Sequence, residues 1–417
     1  MPRHAGPMIP DHPIPKTGAS CGFDLLDGVR VLDLTTSIAG PYATMLLGDW
    51  GAEVVKVERP GTGDDVRAWG PPFLEGESLW FLSVNRNKAS VTLDYARPEG
   101  RAVLGALIGV SDVLVTNQVP RVQAKLGTDY DTLSAEKPDL IFAAITGFGL
   151  TGARSAYPCY DLIAEGYSGV MDLTGEAEND PQKIGTPAAD MLAGMDAALA
   201  VTAALFARTR SGRGRKIDVS LVESMTRFMT PRLVSYLGSG ELPRRTGAKD
   251  SVIAIYQTFH AADGPITLGL GSDAIWKRFW KAVGRPEMAD DSRYATNADR
   301  REARAALVAE IETVLGAEPR AHWLALFARE SIPAGPINRL DEVAGDQALI
   351  ERGLFYGLER EGRASVPQVN TGVRLDDRAN APRRAPPALG ADTAEVLRAW
   401  LDMDAAAVQE LKDMGIV

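Results

Sequence analysis

The sequence predicts an α/β protein: a doubly wound large domain on a parallel sheet, joined to a smaller α+β domain. Three observations predict it. Short apolar runs alternate with helix-length segments from Gly28 to Gly149. A hairpin pattern followed by three amphipathic helices begins near residue 250. The 417-residue chain is also longer than one ordinary domain.

The elements follow in order. GVRVLDL (28–34) reads as a buried strand, SIAGPYATMLLGDWG (37–51) as a loop and helix, and AEVVKVE (52–58) as a second strand, together one βαβ unit. ASVTLD (89–94) is a strand and PEGRAVLGALIGVSD (98–112) a helix with proline near its start. DVLVTN (112–117) and LIFAAITGFG (140–149) are further strands. Strands alternating with helices give a parallel sheet covered on both faces, whose ligands gather at the carboxyl ends of the strands. Those ends carry Thr35–Pro41, Glu58–Arg67, Asn117–Arg121 and Gly147–Gly152. GFGLTG (147–152) has the spacing of a dinucleotide fingerprint, but it sits in the last strand of the lobe and does not open a helix directly. A Gly-rich turn that lets a ligand or partner backbone approach closely accounts for it better than a nicotinamide or flavin site.

TPAADMLAGMDAALAVTAALF (186–206) is the long helix around which the rest is organised. Thr186 suits its cap and Pro187 its first position, which puts Asp190 in the first turn. The helix dipole there favours the ionised carboxylate, the form a nucleophile needs, although an aspartate in a first turn is usually only a favourable dipole contact. RTRSGRGRKIDVSLVES (208–224) reads as a basic turn and an amphipathic segment. IAIYQTFHAADGPITLGLG (253–271) reads as a hairpin around Ala262, Asp263 and Gly264. The helices SDAIWKRFWKAVG, RREARAALVAEIETVLG and PRAHWLALFARES follow. VPQVNTGVRLDDRANAPRRAPPALGAD (366–392) is extended and proline-rich, and two short helices close the chain.

The resulting division is a flexible arm over 1–22, a large Rossmann-like domain over 23–220, a linker over 221–249 and a small α+β domain over 250–342. An extended return follows over 343–387, and helices over 388–417 complete the large domain.

Composition narrows the function. A net charge of −10 opposes a general nucleic-acid binder, while 45% apolar and 24% charged residues describe a globular chain. No stretch reads as a membrane span. Cys21 and Cys159 cannot build a disulfide framework, which fits a reducing, cytoplasmic compartment. His4, His12, His260 and His322 are scattered, so no metal is expected. Lys56, Arg59, Arg67, Arg86 and Lys88 nonetheless cluster with Trp69, Trp80 and Phe81 between the second and third strands. They can be solvated surface charges. Cations and aromatic planes at strand ends also suit the phosphates and adenine of an anionic nucleotide.

Several motifs in order carry a family resemblance: LDLTTSIAGPYATMLLGDWGAEVVKVERPGTGDD, NRNK (85–88), ITGFGLTG, YDLIAEGYSGVMDLTG, PAADMLAG, IPAGPIN and PPALGADT. From about Gly28 to the C-terminus the chain resembles the class III CoA-transferases. VERPGTGDDVRAWGPPF and SVNRNK are most similar to the branch that moves CoA from succinyl-CoA to other dicarboxylic acids. The resemblance implies a ping-pong transfer through an aspartyl-CoA thioester on Asp190, with Asp161 in support and no cofactor beyond the CoA substrate itself. It places Arg59 at the nucleotide phosphates, Asn117 beside pantetheine or adenine, and Lys125 where the family often has arginine. Lys88 and Trp69 join the CoA site as members of the cation and aromatic cluster, and Ile38 in SIAGP joins the same substrate-binding set.

The resemblance also implies an interlocked homodimer. Ile38 stands where the oxalate-specific branch has glutamine, Pro158 replaces a basic residue, and only Gly247 remains of that branch's glycine run, which argues against formyl-CoA:oxalate transfer. Two alternatives stand beside this one. The first is a 2-methylacyl-CoA racemase, for which Tyr160 replaces the required histidine before Asp161 by a poor base. The second is a non-catalytic CoA-binding protein.

Overall fold

The computed structural model describes residues 14–18 and 22–417. They form two compact units, one of the chain up to Ser168 with Gly185–Thr230 and Ala344–Val417, the other of Gly169–Ile184 with Pro231–Val343.

The first unit is organised by six parallel strands: β1 (Arg30–Asp33), β2 (Glu53–Glu58), β3 (Lys88–Thr92), β4 (Val113–Thr116), β5 (Ile141–Thr146) and β6 (Arg215–Ser220). Their order is β3-β2-β1-β4-β5-β6. Val31 pairs with Val54 on one side and with Val113 on the other, so the strand order reverses at β1 and β4. A crevice forms at such a switch point, outside the carboxyl ends of the strands.

Both faces are covered. On one, Leu32, Val55, Val91, Leu114 and Phe142 form a single core with Leu104 and Leu107 of α2 (Pro98–Gly109), Leu397 and Trp400 of α5 (Thr393–Leu401) and Leu411 of α6 (Ala405–Asp413). Apolar side chains at helical spacing put these faces inward, and Trp400 Nε1 donates to Glu53 Oε1 at 2.6 Å. The other face packs against α1 (Ala39–Asp49) and α4 (Ala188–Ser211). These two helices approach closely because Gly194 has no side chain: a Cβ there would lie 2.7 Å from the Ala39 carbonyl oxygen.

In the second unit, Tyr256–Ala261 and Gly264–Gly269 pair as the expected hairpin, with Phe259 opposite Ile266, and Ala334–Pro336 adds a third strand. Ser272 caps the helix Asp273–Ala282, whose Trp276, Phe279 and Trp280 are buried with Ile311 and Phe327.

Several boundaries differ from the sequence reading. The segment after α4 is a sixth strand, β6, although its outer residues Arg215, Lys216 and Asp218 mask the alternation. The linker over 221–249 contains the helices Leu221–Phe228 and Thr230–Ser239. The return over 343–387 holds the antiparallel pair Phe355–Arg360 and Arg363–Val369, and Lys16–Thr17 adds to it as a parallel edge strand. The arm is therefore not wholly outside the fold, while Met1–Pro13 and Ala19–Cys21 lie outside the described residues. The helix Ala188–Ser211 is also long and apolar enough to cross a membrane by length and composition, contrary to the expectation that no stretch would be. Its alanine-rich face, including Ala189, Ala193, Ala197 and Val201, is buried within the first unit.

Candidate active site

The loop Thr35–Pro41 leaves β1 at the switch point and is fixed from beneath by buried charge. Asp33 Oδ1 accepts the N–H of Thr35 at 2.9 Å and its hydroxyl at 2.5 Å, while Oδ2 accepts from Thr44 Oγ1 at 2.6 Å and Lys88 Nζ at 3.1 Å. Against the cost of burial, Lys88 and Lys56 hold Asp33 well below the usual carboxylate range. Asn117, just past β4, receives the N–H of Thr36 at 3.2 Å and donates to its carbonyl at 2.8 Å, which binds the ends of β1 and β4 together.

This network corrects the reading of the cation cluster. Lys88 is fully buried and donates also to the Pro41 carbonyl at 2.8 Å and to Asn85 Oδ1 at 2.9 Å. Burial pushes it down to about 8 against the opposing pull of Asp33. With every donor committed to the core it cannot hold CoA. Lys56 is equally buried, 2.9 Å from Asp64. Arg86 forms a two-pronged pair with Asp49, at 2.9 and 2.7 Å, and Arg67 one with Glu58, at 2.7 Å on both prongs. Spacing in the sequence does not distinguish cations that staple strand ends from cations that face a ligand. Of the five, Arg59 is the one with a mostly exposed side chain, paired across the surface with Asp65. Lys125 is exposed in the last turn of the helix Pro120–Leu126 and joins no ion pair among the described residues. Trp69 is exposed and stands edge-on to Trp80, ring centroids 6.5 Å apart.

Asp190 lies in the first turn of α4, as expected, but Thr186 does not cap the helix: Pro187 takes the cap position and supplies no side-chain bond. The cap comes from Asp161, the first residue of α3 (Asp161–Ser168), whose Oδ1 accepts the N–H of Ala189 at 2.8 Å and of Asp190 at 3.3 Å. Burial, with the charge of Asp161 added, pushes Asp190 up to about 7. The helix dipole was expected to favour ionisation. It is worth about 0.3–1 kcal/mol, less than one pK unit, so burial and a like charge override it. Asp190 thus carries a basicity suited to attack or proton transfer near neutral pH. Cys159 completes this corner, its thiol pushed up to about 11 by burial and by Asp190, so it is held as a thiol and not as a nucleophilic thiolate.

The Gly147–Gly152 turn serves the same corner. A Cβ on Gly147 would lie 2.1 Å from that of Cys159, so glycine here permits a close chain crossing. The Gly147 carbonyl accepts from Ser220 Oγ at 3.1 Å, and Leu150 donates its N–H to both oxygens of Asp218, at 3.1 and 3.0 Å. The turn is a structural brace, and the close approach its glycine permits is to the Cys159 side chain of the same chain.

A cavity of about 590 Å³ is lined by Ile38, Tyr42, Trp80, Thr186, Pro187 and Met191, among others. Ile38 is buried against Met191, the residue after Asp190. The structure therefore brings Asp161 and Asp190 together, seats Ile38 in an apolar cluster with Met191 of the same helix as Asp190, and places Asn117 in the crevice. The supporting roles of Asp33 and Asp64 were missed, and Lys56 was read as a member of the ligand-facing cation cluster. Their one signal is a charged residue in an otherwise apolar strand, Asp33 at the end of β1 and Lys56 within β2.

The fold and site define an α/β enzyme with a carboxylate pair at a helix terminus beside a switch-point crevice, and residues 26–393 match CoA-transferase family III. The chain belongs to that family and is a class III CoA-transferase. It is 38% identical over 394 residues to the succinyl-CoA:glutarate CoA-transferase of Mus musculus, an alignment covering 94% of this chain and 90% of that protein. It is 37% identical over 382 residues to the succinate–glutarate CoA-transferase of Agrobacterium fabrum, covering 89% and 94%. Among solved structures, a CAIB/BAIF family protein from Brucella suis superposes with a TM-score of 0.80 at 36% identity, over 91% of this chain and all of that one.

Proposed function

We propose that this enzyme moves CoA reversibly from succinyl-CoA to a C4 to C6 dicarboxylic acid by a ping-pong mechanism with Asp190 as the nucleophile. A carboxylate oxygen of Asp190 attacks the thioester carbonyl, the C–S bond breaks, and CoA leaves as a thiolate from a mixed anhydride. The thiolate then attacks the Asp190 carbonyl carbon. The C–O bond to the donor acid breaks, and an aspartyl-CoA thioester remains. The acceptor carboxylate runs these steps in reverse, so the thioester's energy is never lost to water.

The observation that carries this reading is the capped and raised carboxylate: Asp190 beside Asp161, with a pKa of about 7. A carboxylate of that basicity is a better nucleophile than an ordinary one and is still substantially ionised at neutral pH. Asp161 supports it by capping α4 and by opposing its charge. Arg59, Asn117, Lys125 and Trp69 are assigned to CoA, and Ile38 to the acyl group. The names of the two relatives above support the dicarboxylate class, and the family resemblance supports an interlocked homodimer, which light scattering at micromolar concentration would confirm or refute.

Intact-protein mass spectrometry after brief exposure to succinyl-CoA tests the mechanism. A CoA adduct is expected on the native protein, absent from Asp190→Ala and discharged by glutarate. An adduct of equal size on Asp190→Ala would remove the assignment.

A further inference from the structure

Ser37 stands at φ +70°, a left-handed conformation that is sterically unfavourable for a serine. The carboxylate of Asp64 holds it there. Oδ1 of Asp64 accepts the N–H of Ser37 at 3.0 Å and the N–H of Val66 at 3.1 Å, while Oδ2 lies 2.9 Å from Lys56 Nζ. Lys56 in turn donates to the Thr35 carbonyl at 2.7 Å. Both members of the ion pair are wholly buried. One pair of charges thus grips the chain on either side of Thr36, whose own backbone groups are held by Asn117. The next residue, Ile38, is seated with Val66 and Met191 in one apolar cluster and lines the cavity beside the Asp190 helix.

We propose that Lys56 and Asp64 are positioning residues for the acyl pocket: they fold Ser37 into its left-handed turn and so fix how far Ile38 projects toward Met191, which sets the chain length of the acid accepted. Without the tether Ser37 relaxes to negative φ, and that rotation swings the Ile38 backbone. A pocket discriminates one methylene by about 10–200-fold, so a small displacement of its wall is enough to change preference. The inference rests on the transferase reading above.

The test compares kcat/KM for glutarate and adipate with succinyl-CoA as donor. Lys56→Met combined with Asp64→Leu removes the pair without leaving a lone buried charge. This variant is expected to change the glutarate-to-adipate ratio at least tenfold while CoA affinity by calorimetry stays within threefold. Asp64→Asn keeps an oxygen for the Ser37 N–H and is expected to hold the ratio within about twofold. Adding Ser37→Gly to the double variant frees the left-handed turn of its steric cost and is expected to move the ratio back toward the native value.

If the double variant does not fold, Ser37→Val leaves the ion pair intact yet resists φ +70°, and a ratio shift is expected from it too. An unchanged ratio in a folded double variant, or in folded Ser37→Val when the double variant is lost, overturns the inference and leaves the transferase reading standing. So does a shift that Ser37→Gly does not reverse. If the native enzyme transfers no CoA to either acid, the transferase reading itself falls, and this inference with it.

Discussion

The carboxylate of Asp161 receives the backbone N–H of Asp190 at 3.3 Å while its charge opposes that of the Asp190 side chain. One group therefore does two things to its neighbour. It satisfies an amide that a helix start would leave without a partner, and it makes the adjacent acid a stronger base.

The pH dependence of transfer follows from this pair. Activity is expected to rise with pH through about 7 as Asp190 ionises. Asp161→Asn keeps an oxygen for the cap and removes the like charge, so the rise should move to lower pH. A kcat/KM profile between pH 5 and 9 measures both, and a native profile flat from 6 to 8 would contradict the assignment.

Stability carries the opposite sign from activity. Because folding raises the pKa of Asp190, the unfolded chain holds the carboxylate ionised between about 4 and 7 where the folded chain holds a proton. The folded state is therefore penalised increasingly as pH rises through this window. Asp190→Asn should stabilise the protein above pH 7, by on the order of 2 kcal/mol once solvent screening is allowed for, and should have no effect below pH 4. Urea unfolding at pH 4 and pH 8 reads the difference.

Lys88 and Arg59 should separate cleanly, although both belong to the same stretch of sequence. Lys88→Met leaves Asp33 without its closest cation and should cost about 3–5 kcal/mol of stability. Arg59→Ala should leave the melting temperature within a degree or two, because exposed pairs contribute about 0–1 kcal/mol, and should weaken CoA binding about tenfold. Thermal melts and CoA titrations on both variants check this.

Gly147→Ala should destabilise by about 1–3 kcal/mol, since the new Cβ meets Cys159 at 2.1 Å. Adding Cys159→Gly removes the obstructing atom and should recover much of the loss. Purely additive costs in a double-mutant cycle would show that the two positions do not touch.

The parallel sheet was legible because a continuous apolar run such as 140–145 needs both faces covered, and because such strands alternate with helix-length segments. Strand β6 was not, because its charged residues face outward from an edge and its apolar residues are few. That Asp161 lies close to Asp190 was legible through motif position, but the direction of the Asp190 shift was not. It depends on how deeply the carboxylate sits and on which residue caps the helix, and neither is encoded in local spacing. Lys88 failed for a related reason: a lysine at a strand end reads the same whether it meets phosphate or a buried aspartate.

The core under the β-sheet has a consequence for biosynthesis. Leu32 near the start of the chain packs in one cluster with Leu397, Trp400 and Leu411 near its end, and the compact unit around Trp276 and Phe327 lies between them in sequence. The middle of the chain has a core of its own, while the core under the sheet needs residues from both ends of the chain. The early helix α2 covers part of that face, but it closes fully only once Leu397, Trp400 and Leu411 have been made, so part of an apolar sheet surface stays uncovered until the last residues of the cluster are synthesised.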